Sequence, residues 1–138
     1  MKKIVVLYFL LPLVGFTQEV GDQQYYLVGN LNLQEFTNSD REFLDSCLVV
    51  YHEAVHDTDR INALNDVCDF MVHDSWSKYQ FYQYKLIEQA IGNHSDPAEK
   101  RSLQLSLEVS LNNIGLYYER QEGNISKALT YYHKSLKI

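Results

Sequence analysis

Proline and glycine are scarce, with two and six copies among 138 residues. That scarcity excludes a β-sandwich, whose many tight turns need both residue types. Basic residues are outnumbered, 12 against 18 acidic, for a net charge of −6. A broad phosphate-binding surface is therefore excluded, and with it nucleic acid as a partner. Only one apolar run is long, and it lies at the very start. What is abundant is tyrosine, at 11 copies, which offers large amphipathic surfaces for packing or contact.

The opening stretch MKKIVVLYFLLPLVGFTQ places Lys2 and Lys3 before an apolar run from Ile4 to Phe16. A basic start, a short apolar stretch and a small residue near its end describe a secretory signal peptide. A spanning helix needs about 20 apolar residues, more than this run supplies. We expect residues 1–17 to be a signal peptide cleaved near Thr17 or Gln18, and an exported, periplasmic product with no membrane span in its mature part. An oxidising compartment then bears on Cys47 and Cys68.

Residues 18–38 show little periodicity and read as a flexible lead-in; Tyr25 to Val28 fits either a strand or a segment tucked onto the first helix, and coil is favoured. From 39 to 138 the pattern is helical throughout. Ser39 and Glu42 have capping-box spacing, followed by the stripe Phe43, Leu44, Cys47, Leu48, Tyr51, Val55. A break at His56–Thr58 leads to Ile61, Leu64, Cys68 and Met71. A third helix begins near Asp74, rich in aromatics; Trp76, Tyr79 and Tyr82 are expected mostly buried, with Phe81 and Tyr84 at a neighbouring interface. Gly92-Asn93 suits a left-handed helix end. Asp96-Pro97-Ala98-Glu99 combines an acidic cap, Pro at the first helical position and a capping-box Glu. The fourth stripe runs Leu103, Leu107, Leu111, Ile114, Tyr118, and the fifth Ile125, Ala128, Leu129, Tyr132, Leu136. Short connections make neighbouring helices antiparallel, so the fold expected is all-α, a stack of helical hairpins.

The segment LNNIGLYYERQEGNISKALTYYHKSL resembles a tetratricopeptide repeat (TPR). The matching positions are Leu111, Ile114, Gly115 and Tyr118 on one helix, then Gly123, Ala128, Tyr132 and Leu136. Gly115 and Ala128 lack bulk where the helices approach, and Tyr118 and Tyr132 fill the space beside them. The turn is one residue longer than usual, and Ser135 stands where another small residue is common. Residues 59–91 resemble a degenerate repeat with Trp76 and Tyr79 at usually small positions. Signal peptide plus repeats resembles the exported N-terminal regions of bacterial TPR-containing sensor histidine kinases and regulators. The resemblance implies a right-handed TPR-like solenoid that binds protein or peptide, without enzymatic activity or cofactor. It places Asn112, Leu116 and Glu119 in a concave groove. Repeat stacks usually need three repeats and a polar cap. The chain stops at Lys137-Ile138 without one, so we expect the interaction segment of a truncated signalling protein, tethered through missing C-terminal sequence. The rival is a structural subunit that self-associates through its open C-terminal end.

Two patterns carry sharper chemistry. His52-Glu53-Ala54-Val55-His56 satisfies H-E-x-x-H, which on one helix lets both imidazoles hold a zinc while Glu53 activates water. Against a zinc metallohydrolase stand Asp57 after the second His, the failed extended motif at Asp59 and Asn62, and Glu88 as the only third-ligand Glu. The plainer reading puts His52, Glu53 and His56 on the polar side of the first helix near its end. Cys47 and Cys68 lie almost symmetrically about the Asp57-Thr58 turn, which makes them close core neighbours with a disulfide left open, since helix packing is slightly wide for the bond. The sequons at Asn93 and Asn124 are short enough to arise by chance.

Overall fold

The structure, a computed structural model, describes residues 21–138; the signal-peptide expectation lies outside those residues. The fold is all-α. Its elements are a one-turn helix α1 (Gln23–Tyr26), a 3-10 turn (Leu33–Glu35), and five longer helices: α2 (Asn38–Glu53), α3 (Asp57–Phe70), α4 (Trp76–Asn93), α5 (Pro97–Arg120) and α6 (Ile125–Ser135). Each longer helix packs on the next in sequence, α2 on α3 through α5 on α6. No helix among the described residues is long and apolar enough to cross a membrane.

The segment expected as a flexible lead-in is a packed part of the molecule over its described residues. Tyr26, Val28, Leu31, Leu33 and Phe36 are buried in one core with Leu44, Leu48, Leu64, Val67 and Tyr79. Cross-links hold it there: Lys78 Nζ donates to the Asn30 carbonyl at 2.7 Å, and Phe36 stacks on His73 with centroids 4.1 Å apart. Its periodicity is weak because Leu27 and Asn30 adopt positive φ, so the chain bends at each and follows no regular repeat.

Helix ends follow local chemistry, with three corrections. The cap of α2 is Thr37, whose Oγ1 accepts from Asp40 N at 3.1 Å and donates to the Asp40 carboxylate at 2.7 Å, two residues before the Ser39 expected. Gly92 stays inside α4, which ends without a left-handed residue in an extended His94. Asp96 caps α5 as expected, with Pro97 in the first turn. Glu99 does not close a capping box; it bonds His94 at 2.6 Å instead.

The stripes hold best near helix centres. Leu44, Cys47, Leu48 and Tyr51 are buried, whereas Val55 lies past the end of α2 and is 81% exposed. Tyr79 is fully buried, while Trp76, Phe81, Tyr82 and Tyr84 are all half-buried. The largest surprise is polar. Gln80 and Gln83 are buried in α4. Gln83 Nε2 donates to the Ile61 carbonyl and to Asn65 Oδ1, and Gln80 Nε2 donates to Gln83 Oε1 and Ser110 Oγ at 3.0 and 2.8 Å. The amides thus join α3, α4 and α5 through the interior, every bond made between buried or half-buried groups.

On α5 and α6, Gly115 and Ala128 are buried where the helices meet. A methyl on Gly115 would collide with the Tyr132 ring. Gly123 takes φ +61° at the turn. Ser135 is buried and donates to the Glu108 carbonyl at 3.2 Å. Leu136 departs from expectation: it follows the last helical residue and is 81% exposed.

Candidate functional site: a cleft where three helix ends meet

A cavity of about 350 Å³ opens between the end of α3, the start of α4 and the end of α5. Cys68 and Asp69 line it from α3, Trp76 from α4, and Asn113, Leu116, Tyr117 and Arg120 from α5. The four α5 positions follow the spacing of one helix face, so a single stripe of about two turns forms that wall.

The wall is built on aromatic edges. Tyr117 meets Trp76 at 6.2 Å and Phe81 at 5.5 Å, both edge to face. The Tyr117 hydroxyl donates to Glu122 at 2.7 Å, and this bond, followed by burial, pushes the phenol up to about 12. Behind the wall the amide network reaches the cleft: Asn113 Nδ2 donates to Gln80 Oε1 at 3.2 Å. Burial and then the Asp69 charge push the Cys68 thiol up to about 12, so it stays protonated and poorly nucleophilic. Burial also raises the Asp69 carboxyl, with Asp66 adding to the effect. Neither Asp69 nor Arg120 has an ion-pair partner among the described residues. The cleft therefore offers an aromatic floor, one base, one acid and the carboxamides of Asn113 and Gln121.

Of the expected groove residues, Leu116 is in this cleft. Asn112 is exposed outside it. Glu119 is turned toward α6, where it accepts from the Tyr132 hydroxyl at 2.6 Å. The cleft face lies one residue round from Asn112 and Glu119, and one residue turns a helix by about 100°. Asn113, Tyr117 and Arg120 line the cleft and were not among the expected groove residues, although their spacing with Leu116 was readable. Tyr118 takes the outer edge, stacked on Tyr131 at 5.4 Å with Lys127 Nζ 4.8 Å from its ring.

The H-E-x-x-H residues do not form the face a zinc site requires. α2 ends at Glu53 and His56 caps α3, so the two histidines sit on different elements. His52 Nε2 is bonded to the Tyr25 carbonyl at 2.8 Å and its ring stacks on Tyr25. Among the described residues no group of three or more His, Cys, Asp or Glu is placed to hold a metal. The cysteines are both free, and they line different cavities. Cys47 is buried in the first core and Cys68 is packed, half-buried, against the same core, so both lie on its apolar side without a bond between them.

No protein family, curated protein or solved structure matches this chain.

Proposed function

We propose that this chain is a non-enzymatic scaffold of TPR type that captures a protein or peptide segment in the Trp76–Tyr117 cleft. The observation that carries the reading is the cleft itself: an aromatic floor flanked by Arg120 and Asp69, each without an ion-pair partner among the described residues. Such a surface suits an extended segment with an apolar side chain and mixed charge. The close fit of Tyr132 over Gly115 supports the repeat assignment, since the family pattern puts a small residue there for that purpose. In this reading the chain is exported and serves as the interaction segment of a larger bacterial signalling protein.

Trp76 is the only tryptophan, so its emission reads the cleft directly. Peptides selected from a random display library on the wild-type protein are expected to shift that emission. Leu116→Glu, at a half-buried position, is expected to abolish both the shift and the capture. Peptides that bind with Trp76 emission unchanged, and equally to the Leu116→Glu variant, would refute the cleft as the binding site.

A second reading rests on a different observation. Leu105 and Val109 of α5, Ile125 and Leu129 of α6, and Leu136 just past α6 are each at least half exposed. An apolar face of that kind favours association between copies, or with further repeats of the same chain. A solution mass that rises with protein concentration is the expected sign.

A further inference from the structure

A second groove, sharing no residue with the cleft, runs along the outer side of α2 and α3. Phe43, Ser46, Cys47, Val50 and Glu53 line it from α2, and Asp59, Asn62, Ala63 and Asp66 from α3. Both sets follow helical i, i+3, i+4, i+7 spacing, so the walls are two complete stripes of packed neighbouring helices. From Phe43 to Glu53 the α2 wall spans ten residue steps, about 15 Å at 1.5 Å per residue. The cavity is about 600 Å³. A straight groove of three turns between two helices has the shape that receives a third helix.

The chemistry of the groove narrows the occupant. Its floor is apolar: Phe43, Cys47, Val50, Ala54 and Ala63. Val50 is 55% exposed and Val49 beside it 46%, so apolar area remains open to water. Every charged residue in the lining is an acid: Glu53, Asp59 and Asp66. The nearby base Arg60 is engaged with the Asp57 carboxylate at 3.0 Å and the Ala54 carbonyl at 2.9 Å. Phe70, four residues beyond Asp66, is 68% exposed and extends the α3 stripe.

We propose that the α2–α3 groove docks one amphipathic α-helix of a partner protein, its apolar face on Phe43, Val50 and Ala63 and its flanking Lys or Arg residues against Glu53, Asp59 and Asp66. Apolar burial supplies the affinity, and the one-signed rim sets the register and rejects acidic helices.

The test uses three labelled peptides and fluorescence anisotropy on the full chain: an amphipathic leucine–lysine helix, its leucine–glutamate counterpart, and the lysine peptide broken by a central proline. The intact lysine peptide is expected to bind, and the other two to bind at least about tenfold more weakly. Glu53→Lys with Asp66→Lys, both at exposed positions, is expected to cost the lysine peptide about tenfold or more. Asp74→Lys with Glu108→Lys changes the net charge equally outside the groove and is expected to leave binding within about threefold. Equal binding of the glutamate or the proline-broken peptide, an equal loss in the two double variants, or no binding at all would overturn the proposal. Self-association of the wild-type chain that is lost in Glu53→Lys with Asp66→Lys would assign the groove to a second copy, and would overturn it too.

Discussion

At the scale of single residues, the interior of this protein depends on how polar groups are placed among apolar ones. Tyr79 is fully buried and its hydroxyl has no hydrogen-bond partner among the described residues. Burial, the leading cause, raises its phenol, with Tyr26 and Asp45 adding to it. An unpaired buried hydroxyl costs about 1–3 kcal/mol. Tyr79→Phe keeps the ring and removes that cost, so it is expected to raise stability by about 1 kcal/mol. A higher urea midpoint at unchanged slope is the check; a lower midpoint would mean that the hydroxyl has a partner. Gln83 is the opposite case. Its carboxamide is bonded at both ends, to Ile61 and Asn65 on one side and Gln80 on the other, so the same burial is tolerated.

At the scale of elements, two contacts decide how helices meet. The first is Tyr132 over Gly115, which sets the closeness of α5 and α6. Gly115→Ala forces the ring aside and strains its bond to Glu119, and is expected to destabilise by about 1–3 kcal/mol. Tyr132→Ala clears the space, so the double variant should fall short of the sum of the single losses. Additive losses by chemical denaturation would contradict the contact. The second is His94, which joins the end of α4 to the starts of α5 and α3. Its Nδ1 bonds Glu99 at 2.6 Å and its Nε2 Asp57 at 3.4 Å, with Arg60 also on Asp57. The Glu99 bond first, and then Asp57, raises the imidazole above its ordinary value of 6.5. A raised histidine stabilises fully below that ordinary value, and the contribution is lost as pH rises through the folded one. Melting temperatures of wild type and His94→Gln are thus expected to differ most at about pH 5.5 and to converge by about pH 8.5. A gap that widened with pH would reverse the assignment.

At the scale of the whole molecule, packing that runs mainly from each helix to the next leaves the two ends of the series unlike. The first end is covered: residues of the 21–38 segment close the core against α2 and α4. The last is not, since α5, α6 and the residue after α6 present Leu105, Val109, Ile125, Leu129 and Leu136 to solvent. Leu129→Lys with Leu136→Lys touches exposed positions alone, so each change is expected to alter stability by no more than about 0.5 kcal/mol. The same pair is expected to abolish concentration-dependent association in sedimentation. Association that survives it would place the self-contact elsewhere.

The amino-acid pattern by itself determined that this chain is helical, where most helices begin and end, and that Gly115 and Ala128 lie between closely packed helices. Those features are local: capping residues, a 3.6-residue repeat and side-chain volume act within a few residues of one another. The tertiary structure decided what depends on partners distant in sequence. It buried Gln80 and Gln83, because α3 and α5 supply their hydrogen bonds; it drew the irregular 21–38 segment into the core; and it rotated the α5 cleft face from Asn112 and Glu119 to Asn113, Tyr117 and Arg120. It also parted the two histidines of H-E-x-x-H, since the turn between α2 and α3 falls at Ala54–His56, and it left both cysteines free within one core. Periodicity along one helix gives the faces but not which neighbour covers each, and the candidate cleft exists only where three helix ends converge.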